Sequence, residues 1–193
     1  MKIFRHLTNE RRVLTKDKKP ALFLPAAFVE SDAFEQILNH AGCLNQYKVS
    51  PAIIRQAAGQ DLEGRPVLVF RRGGYGDLLW ISRIIRKLKN QYPSAQFDIA
   101  SHPRHHMVFD GNPSVRYRHP YPIPFEVFDS ADYHLCFENC IEPDRTGRSV
   151  YDLFAKRAGI VLDDDEKIPN YTLPSYPGKR ITRFLSDLGI KAT

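Results

Sequence analysis

Apolar and polar positions alternate with different rhythms along this chain, and the clearest change of rhythm falls between residues 65 and 93. Val67 to Phe70 is a short unbroken apolar run, β-branched and aromatic, and predicts a buried strand. A loop with three glycines follows, Arg71 to Gly76, and then a new pattern begins at Asp77. Leu78, Ile81, Ile84, Ile85 and Leu88 recur at helical spacing and predict one buried stripe. Arg83, Arg86, Lys87 and Lys89 take the opposite side and place positive charge toward the helix C-terminus, where the dipole favours it. Strand, glycine turn and helix make the first half of a β-α-β unit. Ligands of such units bind at the carboxyl ends of the strands, so the turn Arg71–Asp77 is the first place to look for function.

The pattern continues with predicted strands at Phe97–Ala100, Val115–Arg118 and Asp132–Phe137, and a short helix over His102–Asp110. The stretch His119–Phe128 is too rich in proline to be one regular element. A helix is predicted over Gly147–Ala158, stopped at Gly159, and another over Gly178–Leu188 after an extended Pro169–Pro177. The fold class that results is α/β, a Rossmann-like doubly wound parallel sheet of about four strands, over residues 65–177. Residues 178–193 read as a helix and the start of a linker. Residues 1–64 read as a mostly helical extension: a loose charged arm over 1–20, a helix capped by Ser31, and a second helix started by Ser50-Pro51.

Composition narrows the classes. Apolar residues make up 42% of the 193 and charged residues 26%, which suits a folded globular chain. The net charge of +6 suits an anionic partner. The basic residues are dispersed, however, without the Lys/Arg tracts and interleaved aromatics of a nucleic-acid binder, so no nucleic acid is expected. Three cysteines, Cys43, Cys136 and Cys140, match no disulfide framework and point to a reducing, cytoplasmic compartment. No signal peptide or membrane-spanning run is apparent, while a basic face keeps peripheral contact with a membrane open. Metal binding by His134, Cys136 and Cys140 is disfavoured, because they lack a paired Cys-x-x-Cys.

The glycine turn can serve several chemistries. A dinucleotide fingerprint would use Gly74 and Gly76, but Leu79 stands at the third glycine position and the acidic candidate, Asp98, lies inside a strand. A phosphate loop would need lysine where Asp77 stands. Asp77 itself reads either as a helix N-cap or as a general base at the strand mouth. His102, in a basic cluster with Arg104, His105 and His106, can meet a phosphate, and Glu138 and Asn139, at another strand's carboxyl end, can orient a sugar hydroxyl.

Residues 71–79, Arg-Arg-Gly-Gly-Tyr-Gly-Asp-Leu-Leu, follow a strand and lead to Leu88-Lys89 and Tyr92-Pro93. This run resembles the opening motif of glycosyltransferase family 9, the ADP-heptose:lipopolysaccharide heptosyltransferases. Ser149–Gly159 and Phe184–Ile190 resemble later segments of that family, so the likeness extends over about residues 65–190. The resemblance implies the amino-terminal, acceptor-binding half of a GT-B fold. It implies inverting transfer from a nucleotide-sugar donor, such as an ADP-sugar, to a glycan or glycolipid acceptor at the inner face of a membrane, with no metal or other cofactor. Asp77 matches the family's proposed general base. Arg71 matches its basic residue facing acceptor or donor phosphate, with Arg72, Gly73, Gly74 and Gly76 around it. The donor-binding carboxyl-terminal domain is absent from these 193 residues, so the piece alone is expected to be inactive. Two other readings stay open: a non-catalytic Rossmann-like interaction domain, and a nucleotide-binding oxidoreductase domain.

Overall fold

A computed structural model describes residues 1–16, 19–141 and 149–167. In chain order the elements are β1 (Lys2–His6), β2 (Arg12–Lys16), β3 (Lys19–Leu24), β4 (Ala27–Glu30), α1 (Phe34–His40) and β5 (Tyr47–Pro51). They continue with β6 (Pro66–Phe70), α2 (Tyr75–Gln91), β7 (Gln96–Ser101), a 3-10 segment (Pro103–Phe109), β8 (Tyr117–Pro120), β9 (Ile123–Pro124), α3 (Phe125–Ser130), β10 (Tyr133–Cys136) and α4 (Val150–Ala158). The elements anticipated over 169–177 and 178–188 lie outside the described residues.

The parallel sheet runs β10-β6-β7-β8. This is the order of the first four strands of a doubly wound nucleotide-binding sheet. The chain steps outward from β6 to β8 and then returns to lay β10 on the other side of β6. The strand order therefore reverses between β6 and β10. Both faces of β6 are covered, which is why Val67, Leu68, Val69 and Phe70 are all buried and the run shows no alternation. Val67 and Val69 face one core with α2 and α4; its members include Ile81, Ile85, Phe97, Ile99, Leu135 and Phe154. Leu68 and Phe70 face a second core with Val29, Tyr121, Ile123 and Phe128. Only the first face is covered mainly by helices; α3 and a second sheet cover the other.

That second sheet corrects the helical expectation for residues 1–64. It is antiparallel, ordered β5-β1-β4-β9, and α1 is the only α-helix among the described residues of this stretch. The expected loose arm is β1, an interior strand whose Phe4 is fully buried. Ser50-Pro51, expected to start a helix, ends β5 opposite Lys2 and Ile3. Proline is tolerated there because β5 is an edge strand and Pro51 ends it. Local cap signals yield to pairing with a strand some fifty residues away. Ser31 caps nothing with its side chain: α1 has Ala33 at its N-cap, and Ser31 supplies its carbonyl to the Phe34 N–H at 3.0 Å. A third core lies on the far side of the antiparallel sheet, around Phe4, Phe28, Phe34, Leu38 and Tyr47. β9 belongs to the chain between β8 and β10 yet pairs with β4 (Phe28↔Pro124, Val29↔Ile123), so the two sheets share structure as well as packing. The third strand of the α/β unit is displaced from the expected Val115–Arg118 to Tyr117–Pro120.

Candidate functional site

The carboxyl ends of the parallel strands carry the residues singled out from the sequence. β6 is followed by Arg71 and Arg72, β7 by His102, and β10 by Phe137, Glu138 and Asn139. Helix α2 begins at Tyr75, three residues ahead of its apolar stripe. Gly74 is the N-cap, no side chain caps the helix, and Asp77 sits within the first turn. The N-cap reading of Asp77 is therefore corrected. Tyr75 and Gly76 extend the helix ahead of the stripe because its first-turn N–H groups need no intrahelical partner.

The Asp77 carboxylate turns toward β6 instead. Arg71 donates to Asp77 Oδ2 from Nε at 3.1 Å and from Nη2 at 3.0 Å, and from Nη1 to the Phe137 carbonyl at 2.9 Å. The guanidinium so joins the ends of β6 and β10 to the start of α2, at the place where the strand order reverses. The Arg71 side chain is 6% exposed and that of Asp77 24%. All hydrogen bonds that Asp77 makes among the described residues fall on Oδ2, which leaves Oδ1 without one there. Gly73 makes the arrangement possible. A Cβ there would stand 1.9 Å from Asp77 Oδ2 and 2.7 Å from Arg71 Nε. Gly74 and Gly76 have nothing within 4 Å of a built Cβ.

A second group of charges lies beside this pair. The Arg72 backbone N–H donates to Glu138 Oε1 at 2.5 Å, and Arg72 Nη1 donates to Glu30 Oε1 at 3.3 Å. Glu30, the last residue of β4, is buried, and its Oε1 also accepts the Ser31 N–H at 2.6 Å. Burial pushes the Glu30 carboxyl above the ordinary range, opposed by Ser31 and Arg72. Burial likewise raises Glu138, with the Glu30 charge adding to it and the Arg72 N–H and both arginine charges opposing. The Tyr121 hydroxyl, buried and facing both carboxylates, is raised well above its usual value, again chiefly by burial. On the far side, the His105 ring lies 4.4 Å from that of Tyr75, and its Nδ1 is buried without a hydrogen-bond partner among the described residues. Burial and the Arg104 charge push His102 and His105 below the usual imidazole range.

Arg71, Asp77 and Gly73 thus form one packed unit, and Arg72 and Glu138 form another. His102 is exposed on the rim, its ring 5.6 Å from His105. Asn139 is exposed in the turn after β10 with a left-handed backbone, φ +54°. Glu30 carried no signal in the linear sequence, because it closes an apolar strand, and Tyr121 read only as an aromatic able to stack on a sugar; the packing of the two sheets brings both to the mouth. Asp98, the acidic candidate of a dinucleotide site, is held by Arg116 at 2.9 and 2.8 Å. His134, weighed as a metal ligand, is fully buried; its Nδ1 accepts the Arg55 N–H at 3.0 Å and its Nε2 faces the Phe128 carbonyl at 3.0 Å. Among the described residues no group of three or more His, Cys, Asp or Glu could hold a metal ion, and no helix is long and apolar enough to cross a membrane.

No protein-family model matches the chain, and no curated protein matches it. Among solved structures it is similar to the glycosyl transferase family 9 protein from Veillonella parvula DSM 2008, at 12% identity and a TM-score of 0.45. The likeness covers 69% of this chain and 52% of that one, so the chain spans about half the length of that protein.

Proposed function

We propose that this chain forms the acceptor side of an inverting, GT-B-type glycosyltransferase resembling the heptosyltransferases. The mouth of the parallel sheet would receive a sugar hydroxyl of a glycan or glycolipid, at the cytoplasmic face of a membrane. The observation that carries the reading is the Asp77 carboxylate: one oxygen is fixed by two N–H groups of Arg71, while the other accepts no hydrogen bond among the described residues, on a side chain that is partly exposed. A base must be held within reach of the proton it takes, and a carboxylate locked through one oxygen meets that need. The hydroxyl proton would pass to Oδ1 as the acceptor oxygen attacks the anomeric carbon of a nucleotide sugar and the nucleotide leaves. The resembling family divides acceptor and donor between two domains. On this reading the donor is bound by a domain other than the one described here, and transfer needs both groups held together.

The test is sugar transfer by the natural gene product from nucleotide-sugar donors to glycolipid acceptors, compared with Asp77→Asn. Loss of turnover by at least a hundredfold, with folding intact by circular dichroism, is expected of a general base. Turnover equal to the parent protein would remove Asp77 from that role. One observation favours a second reading, a non-catalytic interaction domain: Arg71 also binds the Phe137 carbonyl, so the ion pair staples three elements together whatever else it does. On that reading Asp77→Asn lowers stability and no donor is turned over by any form of the protein.

A further inference from the structure

Glu30 lies in the sheet that the sequence reading left without chemistry, yet its carboxylate touches the half-exposed Arg72 at the mouth. Arg72 spends one guanidinium N–H on Glu30 Oε1 and its backbone N–H on Glu138; its side chain makes no other hydrogen bond or ion pair among the described residues. A guanidinium has five N–H donors arranged to grip a carboxylate or phosphate in pairs. The Arg72 side chain is 48% exposed, so about half of its surface is open to solvent. The Glu30 side chain is 2% exposed and cannot follow it outward. The buried carboxylate therefore behaves as a built-in anion that holds the arginine at the mouth and also competes for its charge.

We propose that Arg72 binds an oxyanion of the substrate, a carboxylate or phosphate group, and that Glu30 takes up a proton as it does so. The proposal rests on the reading of the strand mouth as the substrate site. When an incoming oxyanion shares the Arg72 charge, the buried Glu30 loses part of its compensation. A buried carboxylate without its partner is costly and relieves the cost by protonation. Among the described residues, Arg72 is the cation whose side chain reaches Glu30. Lys2, opposite Glu30 on β1, is committed to Glu35 at 2.7 Å, and the terminal amine of Met1 to Asp32 at 3.0 Å. Arg71 is engaged with Asp77. Glu138, Tyr121 and Cys136 face the same space and add negative charge or none. The α3 carboxylates Glu126 and Asp129 are exposed. Burial already raises the Glu30 carboxyl, and loss of the Arg72 charge pushes it in the same direction.

Sulfate, which does not titrate in the relevant range, is the probe. Calorimetric titration of the whole protein in buffers of differing ionisation enthalpy counts the protons taken up. The wild-type protein should bind sulfate with uptake of a proton, and its affinity should rise as pH falls, approaching tenfold per pH unit where the proton is fully linked. Glu30→Gln should bind sulfate tighter than wild type at pH 8, without proton uptake and with a flat pH profile. Arg72→Gln should not bind it; Arg72→Lys, which keeps the charge but not the fork, should bind weakly and serves if the glutamine variant misfolds. Sulfate binding by the wild type with no proton uptake, unchanged in Glu30→Gln, would overturn the coupling. Absence of sulfate binding in both forms would overturn the oxyanion site. Either result is separate from the fate of Asp77, which is read from sugar transfer.

Discussion

Gly73→Ala is the sharpest perturbation of the site, because three glycines within four residues differ so widely in what a methyl group would meet. At Gly73 the new Cβ would lie 1.9 Å from Asp77 Oδ2, 2.8 Å from its Cγ and 2.7 Å from Arg71 Nε. No Cβ tolerates such contacts, so the Asp77 carboxylate must swing off the guanidinium or the loop must move. Swinging away breaks two charge-assisted hydrogen bonds to a buried arginine. Hydrogen bonds to charged groups contribute about 1.5–3 kcal/mol. Moving the loop instead is an overpacking cost of about 1–3 kcal/mol. The cheaper route, moving the loop, sets the predicted loss at about 2 kcal/mol, which in urea lowers the midpoint by about 1 M for a protein of this size. Gly74→Ala and Gly76→Ala have open space and should stay within about 0.5 kcal/mol of the parent. Gly76→Ala should even gain a little, since alanine suits a helix better than glycine. The decisive measurement is the cycle with Asp77→Ala. Removing the carboxylate removes the worst clash, so the double variant should lose less than the sum of the two singles. Strictly additive losses, or a Gly73→Ala protein as stable as the parent, would refute the close packing of Gly73, Arg71 and Asp77.

Phe28→Ala should cost about 3–5 kcal/mol in chemical denaturation, because the fully buried ring stacks on Phe4 at 5.3 Å and meets Phe34 and Tyr47 edge-on at 5.6 and 5.9 Å. Glu30→Gln should make the fold more stable than wild type at pH 8 and equal to it near pH 4. A carboxyl raised by burial contributes its stability below the ordinary glutamate pKa and loses it as pH rises through the elevated one, so thermal melts of the two proteins should converge on acidification. Deletion of residues 1–51 should leave an aggregating, non-cooperative remainder, since it strips Val29 and its sheet from Leu68, Phe70 and Phe128. A truncated protein that melts cooperatively as a monomer would show that the antiparallel sheet is dispensable.

The parts of this fold that were legible are those whose pattern is local. The stripe Leu78, Ile81, Ile84, Ile85 and Leu88 is wholly buried, as its helical spacing requires. Gly159 ends α4 as expected, at φ +74°, the left-handed conformation that favours glycine. The unbroken run Val67–Phe70 is buried on both faces. The misread part is where short strands owe their existence to partners far along the chain. β1 has five residues, and nothing nearby announces that β4 and β5 will flank it. Ser50-Pro51 carries a helix-start signal of modest strength, and a ladder of five register pairs with β1 outweighs it.

The same contrast governs the site. Arg71, Gly73 and Asp77 could be picked out because one turn between a strand and a helix holds all three, and turn chemistry is written in consecutive residues. Glu30 could not, because its place at the mouth is decided by how two sheets pack. β9 explains how that packing is fixed: two residues of the α/β half, Ile123 and Pro124, complete the antiparallel sheet beside Phe28 and Val29. Glu30 follows Val29 on the same strand and reaches Arg72 at the end of β6. Any displacement of one sheet against the other would therefore move Glu30 relative to Arg72, and with it the charge balance of the mouth. The antiparallel sheet belongs to the site for that reason, as the wall that sets how much of the Arg72 charge is left for a ligand.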